Sequence, residues 1–392
     1  MTFCGKKVLV TGGTGFIGGR LVEKLILECD ARVRVLVRNF TTAVRIARFS
    51  LEMIPGDVND PEAVRRAADG CDVIFHCAYG NKGTLKEQRA ITVGGTRAVA
   101  EAALKTGVSR MVHVSTVSVY GQTPDGDLDE TAPRRRSGEA YADTKLEAEE
   151  LVLHYYSKHG LPVVVIQPTI VYGPFARVWT IGPITQLKNG RVVLVDGGSG
   201  LCNAVYVDDV VDAMVLAATK DGAVGEAFLI SGEVPVTWRD FYGAYEQMLG
   251  IQSTVSMSMH ELRSYVKQRK RADSTIRQVL RVLREKPNVR SFILQLPAVS
   301  GPYRFVRSVL PEPAWECAKK TLLGRQSAPK ASPSPESKPI HLPSDSHVAL
   351  FRSKTRVRID KAKRMLGYHP RFDLERGMWL TEQWARWANL LG

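Results

Sequence analysis

KVLVTGGTGFIGGRLVEKLILECDARVRVLVR, residues 7–38, decides how this chain begins to fold. Residues 7–11 form a short β-branched run of the kind a buried parallel strand carries. Gly12, Gly15 and Gly18 follow at once in G-x-x-G-x-x-G spacing. Behind them Leu21, Val22, Leu25 and Ile26 recur at helical spacing, and residues 32–38 alternate into a second strand. Together they span about thirty residues, the setting of a dinucleotide-binding βαβ unit. Glycines admit a tight turn and close backbone approach, and a helix N-terminus offers a pyrophosphate free N–H groups and a positive dipole. The candidate contacts are Gly12, Thr14, Gly15, Phe16, Ile17 and Gly18.

An acidic residue at the end of the second strand would accept ribose hydroxyls and favour NAD. Arg38 stands there instead, with Arg34 earlier on the strand. A guanidinium suits a 2′-phosphate, so NADP is the expected cofactor and NAD the alternative. Residues 53–58 end a third strand, with Asp57 placed for the adenine edge and Val58 beside it. Asp60 and Pro61 then open a helix as cap and first helical residue. Residues 72–78 make a fourth strand whose small end, at Ala78, leaves room for a cofactor. Residues 111–116 make a fifth. This alternation implies the α/β class: a Rossmann-type, doubly wound parallel sheet that binds ligands beyond its carboxyl strand ends.

Chemistry enters at two further places. Ser115 and Thr116 end the fifth strand, and Tyr141 and Lys145 lie in the helical stretch EAYADTKLEAEELV. Four-residue spacing puts Tyr141 and Lys145 on one helical face. A phenol with a pKa of about 10 is a poor base at neutral pH. A neighbouring ammonium and an oxidised nicotinamide would favour the phenolate. Thr116 would hold the substrate oxygen while Tyr141 moves a proton and the nicotinamide a hydride.

With these pieces in order, the chain resembles the extended short-chain dehydrogenases/reductases of the NAD-dependent epimerase/dehydratase group. The matching motifs are TGGTGFIG (11–18), GDV (56–58), VSTVSVYG (114–121), YADTK (141–145), IQPTIVYGP (166–174) and YVDDVVDA (206–213). The resemblance covers about 1–250 and resumes at DKAKRMLGYHP (360–370). It implies a catalytic set of Thr116, Tyr141 and Lys145, with Ser115 as the fallback for Thr116. It also implies that Lys145 holds the nicotinamide ribose, that Pro168 begins the segment beside the carboxamide, and that a homodimer forms through helices such as 140–158.

Four positions depart from the pattern. Thr92 replaces the asparagine of N-V-x-G-T. Val117 and Ser118 occupy the acid and base positions of 4,6-dehydratases, which disfavours elimination. Cys202 stands where nucleotide-sugar epimerases carry a diphosphate-binding arginine; Arg177, Arg191 and Arg239 are the possible substitutes. Asp208 and Asp209 read as N-terminal acids of the next helix.

The bulk properties fit an enzyme without an obvious anchor. In 392 residues, 44% hydrophobic and 24% charged, no apolar run reaches eighteen residues, and no secretory signal pattern opens the chain. Cys4, Cys29, Cys71, Cys77, Cys202 and Cys317 lack C-x-x-C spacing, which argues against a zinc site or disulfide framework and fits a reducing cytoplasm. The net charge is +14, but residues 261–330 alone hold sixteen Lys and Arg against five Asp and Glu. The charge therefore belongs to one segment, and nucleic acid is not an expected partner.

The expected organisation is a cofactor-binding domain over 1–175 and a smaller substrate-binding domain from 176–254 and 351–392, some of whose strands and helices return to the cofactor-binding core. A basic helical insertion occupies 255–323, with a helix expected over 261–285, and a disordered Ser/Pro-rich linker occupies 324–350. The insertion reads as a cap over the substrate cleft, a peripheral membrane surface or a solvated appendage. The expected activity is reversible hydride transfer at a secondary alcohol or ketone of a small molecule. A nucleotide-linked or glycan-related sugar leads. A ketone reductase or 3β-hydroxysteroid-type dehydrogenase is the alternative, and a non-catalytic cofactor-binding sensor the third.

Overall fold

The computed structural model describes residues 3–272 and 339–391. The chain forms two compact units, one from Met1–Ser256 with Ile340–Gly392 and one from Met257–Pro339. The larger unit is built on β1 (Lys7–Thr11), β2 (Arg32–Val37), β3 (Glu52–Pro55), β4 (Val73–His76), β5 (Arg110–Val114), β6 (Val163–Pro168) and β7 (Ala227–Ile230). They lie in the order β7-β6-β5-β4-β1-β2-β3, and every neighbouring pair is parallel. Helices α2 (Pro61–Ala68), α3 (Gly95–Thr106) and α4 (Ala140–His159) pack together, as do α1 (Phe16–Leu27) and α5 (Val207–Thr219).

The doubly wound sheet is thus the one the sequence implies. Covered strands explain why the sequence reads as near-continuous apolar runs. Val8, Leu9, Val10, Ile74, Phe75, Met111, Val112 and residues 163–166 are all essentially inaccessible. Each fully buried side chain of this size contributes roughly 1.5–3 kcal/mol. The strand order reverses between β1 and β4, so the carboxyl ends of these two strands flank the crevice where such sheets bind ligands.

β7 returns to the main sheet, and Thr355–Val357 pairs with Gly126–Leu128. Smaller pairings join Ile170–Tyr172 to Ala204–Tyr206 and Leu201–Cys202 to Val236–Thr237.

The expected linker over 324–350 needs correction in its last part. Ile340–His341 pairs with Arg191–Val195, and Asp345–Arg352 is a helix. Ser344 caps that helix by accepting from the His347 N–H, and Phe351, 2% exposed, packs on Trp238 at 4.9 Å between ring centroids. Two local signals, a cap and one aromatic anchor, outweigh the polar composition. Residues 324–338 of the expected linker lie outside the described residues.

In the smaller unit, Met259–Ala272 is helical. It starts two residues before the expected position because Ser258 and Glu261 form a reciprocal capping box. The remainder of the expected insertion, from 273, lies outside the described residues. Among the described residues no helix is long and apolar enough to cross a membrane.

Candidate active site

The glycine loop joins β1 to α1 at the crevice. Gly12 has φ +71°, and a Cβ there would lie 2.7 Å from the Ala78 backbone nitrogen at the end of β4. A Cβ on Gly18 would collide with the Gly12 carbonyl oxygen. That oxygen accepts the Gly15 N–H at 2.9 Å, which closes the turn. Gly15 then caps α1 with no side-chain hydrogen bond and no acidic residue in the first turn. The first-turn N–H groups, including those of Phe16, Ile17 and Gly18, have no partner within the helix. Gly15 is exposed and Thr14, Phe16 and Ile17 are half-buried, so this end of the helix is open to an anion. The cradle fits a dinucleotide pyrophosphate.

The expected adenosine contacts divide. Arg38 is at the tip of β2 with 70% of its side chain exposed, and its Nη1 lies 3.4 Å from Asp57 Oδ2. Asp57 also accepts the Asn59 N–H at 3.0 Å. Val58 is buried against Gly95, where a Cβ would meet it at 2.7 Å, so it seats α3. Arg34 is not available to a phosphate. It is 6% exposed, pairs with Glu52 at 2.8 Å, and donates to the Ala67 and Asp69 carbonyls at 2.8 Å each. Arg34 is therefore a buried cap on the C-terminal end of α2.

Thr116 follows β5, and its hydroxyl accepts the Ser118 N–H at 3.2 Å. The same hydroxyl hydrogen-bonds Tyr141 in α4. Ser115 faces the other way: its Oγ donates to the buried Glu149 at 2.5 Å. Thr116 rather than Ser115 therefore meets the phenol.

Desolvation around the phenol raises Tyr141, and the Thr116 bond only partly offsets this. Tyr141 is 41% exposed, so the rise is smaller than a core tyrosine would show, but its direction stands. At neutral pH the phenol is protonated and can donate.

Lys145 is 4% exposed and donates to the Val114 carbonyl. Burial lowers its amine to about 8, opposed by Cys77 and Glu149. Its Nζ lies 5.9 Å from the Tyr79 ring centroid, and Tyr79 meets Tyr141 edge-on at 5.7 Å. The Lys145 ammonium donates to the Val114 carbonyl, and Thr116 and Tyr79 act on the phenol; the expected tuning of Tyr141 by Lys145 rests on their shared face of α4.

Several further polar residues surround this set. Thr11, His76 and His113 lie side by side across β1, β4 and β5. His76 is bonded by Thr11 at 2.7 Å and Thr96 at 2.9 Å, and burial lowers it to about 3. His113 is 1% exposed, with neither ring nitrogen partnered. Glu149 escaped the sequence reading, although it lies four residues beyond Lys145 and eight beyond Tyr141, a spacing that keeps it on their helical face. Pro168 ends β6, buried, next to Gln167, which donates to Glu149 at 2.8 Å.

The departures have structural roles. Thr92 accepts the Gly80 N–H at 3.0 Å and so holds the segment after Ala78. Asp208 forms a two-point pair with Arg20 at 2.6 and 2.9 Å, and Asp209 accepts the Arg371 N–H at 2.8 Å. Both acids lie in the first turn of α5, as expected. Cys202 has no accessible surface, and burial raises its thiol. No cation occupies that position, and Arg239 is exposed at the start of helix Trp238–Leu249.

The profile of the NAD dependent epimerase/dehydratase family matches residues 8–231. A 4-hydroxy-2-methyl-3-oxo-4-farnesyl-3,4-dihydroquinoline-1-oxide ketoreductase of Stigmatella aurantiaca is 32% identical over 253 residues, covering 64% of this chain and 75% of the relative. A 3 beta-hydroxysteroid dehydrogenase/Delta 5→4-isomerase of Mycobacterium tuberculosis is 33% identical over 254 residues, covering 60% of this chain and 67% of the relative. Among solved structures, DesIV, a dTDP-glucose 4,6-dehydratase from Streptomyces venezuelae with NAD and TYD bound, superposes with a TM-score of 0.66. It is 21% identical, and 97% of each chain is covered.

Proposed function

The chain belongs to the NAD-dependent epimerase/dehydratase family, and on that footing we propose that it reduces a ring-bearing ketone to a secondary alcohol. The single observation carrying this is geometric: Tyr79, directly after the Ala78 that Gly12 packs against, meets Tyr141 edge-on at 5.7 Å, which brings the Thr116–Tyr141 pair to the glycine cradle. A nicotinamide dinucleotide held by the glycine loop would supply hydride when bound. Thr116 and Tyr141 together hold the carbonyl oxygen, and Tyr141 gives its proton to that oxygen as the alcohol forms. Lys145, on the same face of α4 as Tyr141, would hold the nicotinamide ribose. Reversal has the Tyr141 oxygen take the proton back.

The inaccessible Cys202 supports a substrate without a diphosphate, because a buried thiol offers phosphate no bidentate contact. The ketoreductase and the hydroxysteroid dehydrogenase among the relatives suit that reading. A nucleotide-linked or glycan-related sugar, with epimerisation, is the second reading. Arg177, exposed at the start of Arg177–Ile181, is the residue that would serve its diphosphate.

For the cofactor we propose NADP over NAD, on the exposed guanidinium of Arg38. Peripheral membrane contact through 255–323 and a homodimer through α4 complete the proposal. Native mass spectrometry of the purified protein reads bound cofactor and oligomeric state together. NADP on a dimer is expected, and NAD alone overturns the Arg38 assignment. Salt-sensitive co-sedimentation with anionic liposomes tests the membrane contact.

A further inference from the structure

Three segments meet at one carboxylate behind the proposed catalytic set. Glu149 of α4 has no accessible surface. The Ser115 hydroxyl donates to its Oε2 at 2.5 Å, and the Gln167 amide to its Oε1 at 2.8 Å. Arg134 Nε, from the loop ahead of α4, lies 2.5 Å from Oε1. The first two neighbours donate to it and the third is a close cation, the surroundings an ionised carboxylate demands. Ser115 precedes Thr116 and Gln167 precedes Pro168, so each contact holds the backbone of a residue assigned to the site.

We propose that Glu149 is a positioning residue that locks the Thr116 and Pro168 strand ends to the Tyr141–Lys145 helix, and whose charge keeps Lys145 an ammonium. This rests on the reading of Thr116, Tyr141 and Lys145 as the catalytic set. The geometry places Glu149 one helical turn from Lys145 on the same face of α4. The other titratable groups around Lys145 are Tyr141 one turn earlier on α4, His76 and His113 from the sheet, and Cys77 and Tyr79 just beyond β4. Burial holds both imidazoles neutral and the thiol protonated. Glu149 is then the group facing Lys145 from this set that carries a negative charge.

Glu149 does not touch a reacting atom in this arrangement. It acts through Lys145 and the strand ends, so its effect must be read at Lys145. The test is side-chain NMR of nitrogen-labelled lysines in the full chain, without cofactor or substrate, and with the Lys145 resonance assigned by its loss in Lys145→Met. In Glu149→Gln the titration midpoint of Lys145 falls by roughly one pH unit, the effect of losing one nearby opposite charge. An unchanged midpoint in a folded variant overturns the proposal.

Arg134→Gln is the second variant, on a side chain that is partly exposed and safer to change. It leaves the carboxylate less neutralised, so the Lys145 midpoint rises; a fall or no change overturns the proposal. Ser115→Ala removes a donor and leaves the charge. Its midpoint stays at the wild-type value, and a fall matching Glu149→Gln would show a packing effect and overturn the charge assignment. The measurement needs no turnover. A shifted midpoint in a protein that never reduces a ketone would refute the catalytic reading and leave the electrostatic role of Glu149 standing.

Discussion

Gly12 and Ala78 approach so closely that a Cβ on Gly12 would lie 2.7 Å from the Ala78 nitrogen. The contact joins the glycine loop to the end of β4 and sets the depth of the cofactor cradle. Gly12→Ala must push these two backbones apart and hold φ +71° with a side chain. We expect a folded protein whose affinity for reduced nicotinamide cofactor drops at least roughly tenfold, about 1.4 kcal/mol. Gly107→Ala is the control, because Gly107 also has a positive φ but open space around it. It should lower the melting temperature and leave cofactor affinity unchanged. Equal effects of the two substitutions on affinity would remove Gly12 from the cradle.

Arg38 tests the choice of cofactor. A charge-assisted hydrogen bond to a 2′-phosphate contributes about 1.5–3 kcal/mol. Arg38→Ala should therefore weaken NADPH binding by roughly 10- to 100-fold and leave NADH binding nearly constant. Fluorescence titration with each cofactor reads both numbers. Parallel losses for the two would mean that Arg38 does not distinguish them.

Lys145 has a stability signature as well as a catalytic one. Burial lowers its amine to about 8, from an unfolded value of about 10.4. The folded state is penalised at pH values where the buried amine must be charged. Stability is free of that penalty above the unfolded value and loses ground as pH falls through the folded one. The stability of the wild type relative to Lys145→Met should rise between pH 8 and about 10. Denaturant unfolding at several pH values measures it, and a difference independent of pH would contradict the buried placement.

The helix Asp345–Arg352 is anchored by Trp238, which has no accessible surface and donates from Nε1 to the Leu350 carbonyl at 3.0 Å. Trp238→Ala should cost about 3–5 kcal/mol, the usual range for a buried indole. Deletion of 325–338 should leave the melting temperature nearly unchanged, whereas removal through 352 should lower it sharply. Tolerance of the longer deletion would restore the linker assignment over 340–350.

How much of this was legible in the sequence depended on the kind of signal. The β1–α1–β2 unit was legible because its glycines and apolar spacing are local. The convergence of Thr116 with Tyr141 was legible only through the order of motifs, since the two meet across a strand end and a helix. Glu149 was not legible, because its partners Ser115, Gln167 and Arg134 come from three separate segments. The role of Arg34 was not legible, because a sequence does not show that α2 ends over it. Cys202 was visible as a departure, but its burial depends on the aromatic packing around Tyr242 and Tyr245.

The most direct test of the central claim follows a labelled hydride. The protein is mixed with NADPH deuterated at the reactive carbon and a panel of ring ketones, and products are read by mass spectrometry. Deuterium should appear on the new carbinol carbon with the wild type, and the rate should fall at least roughly 100-fold in Tyr141→Phe, within the span that general acid catalysis contributes. Equal label transfer by Tyr141→Phe would contradict the role assigned to Tyr141. Absence of label from every product, in a protein shown to bind the cofactor, would contradict the assignment of a ketone reductase.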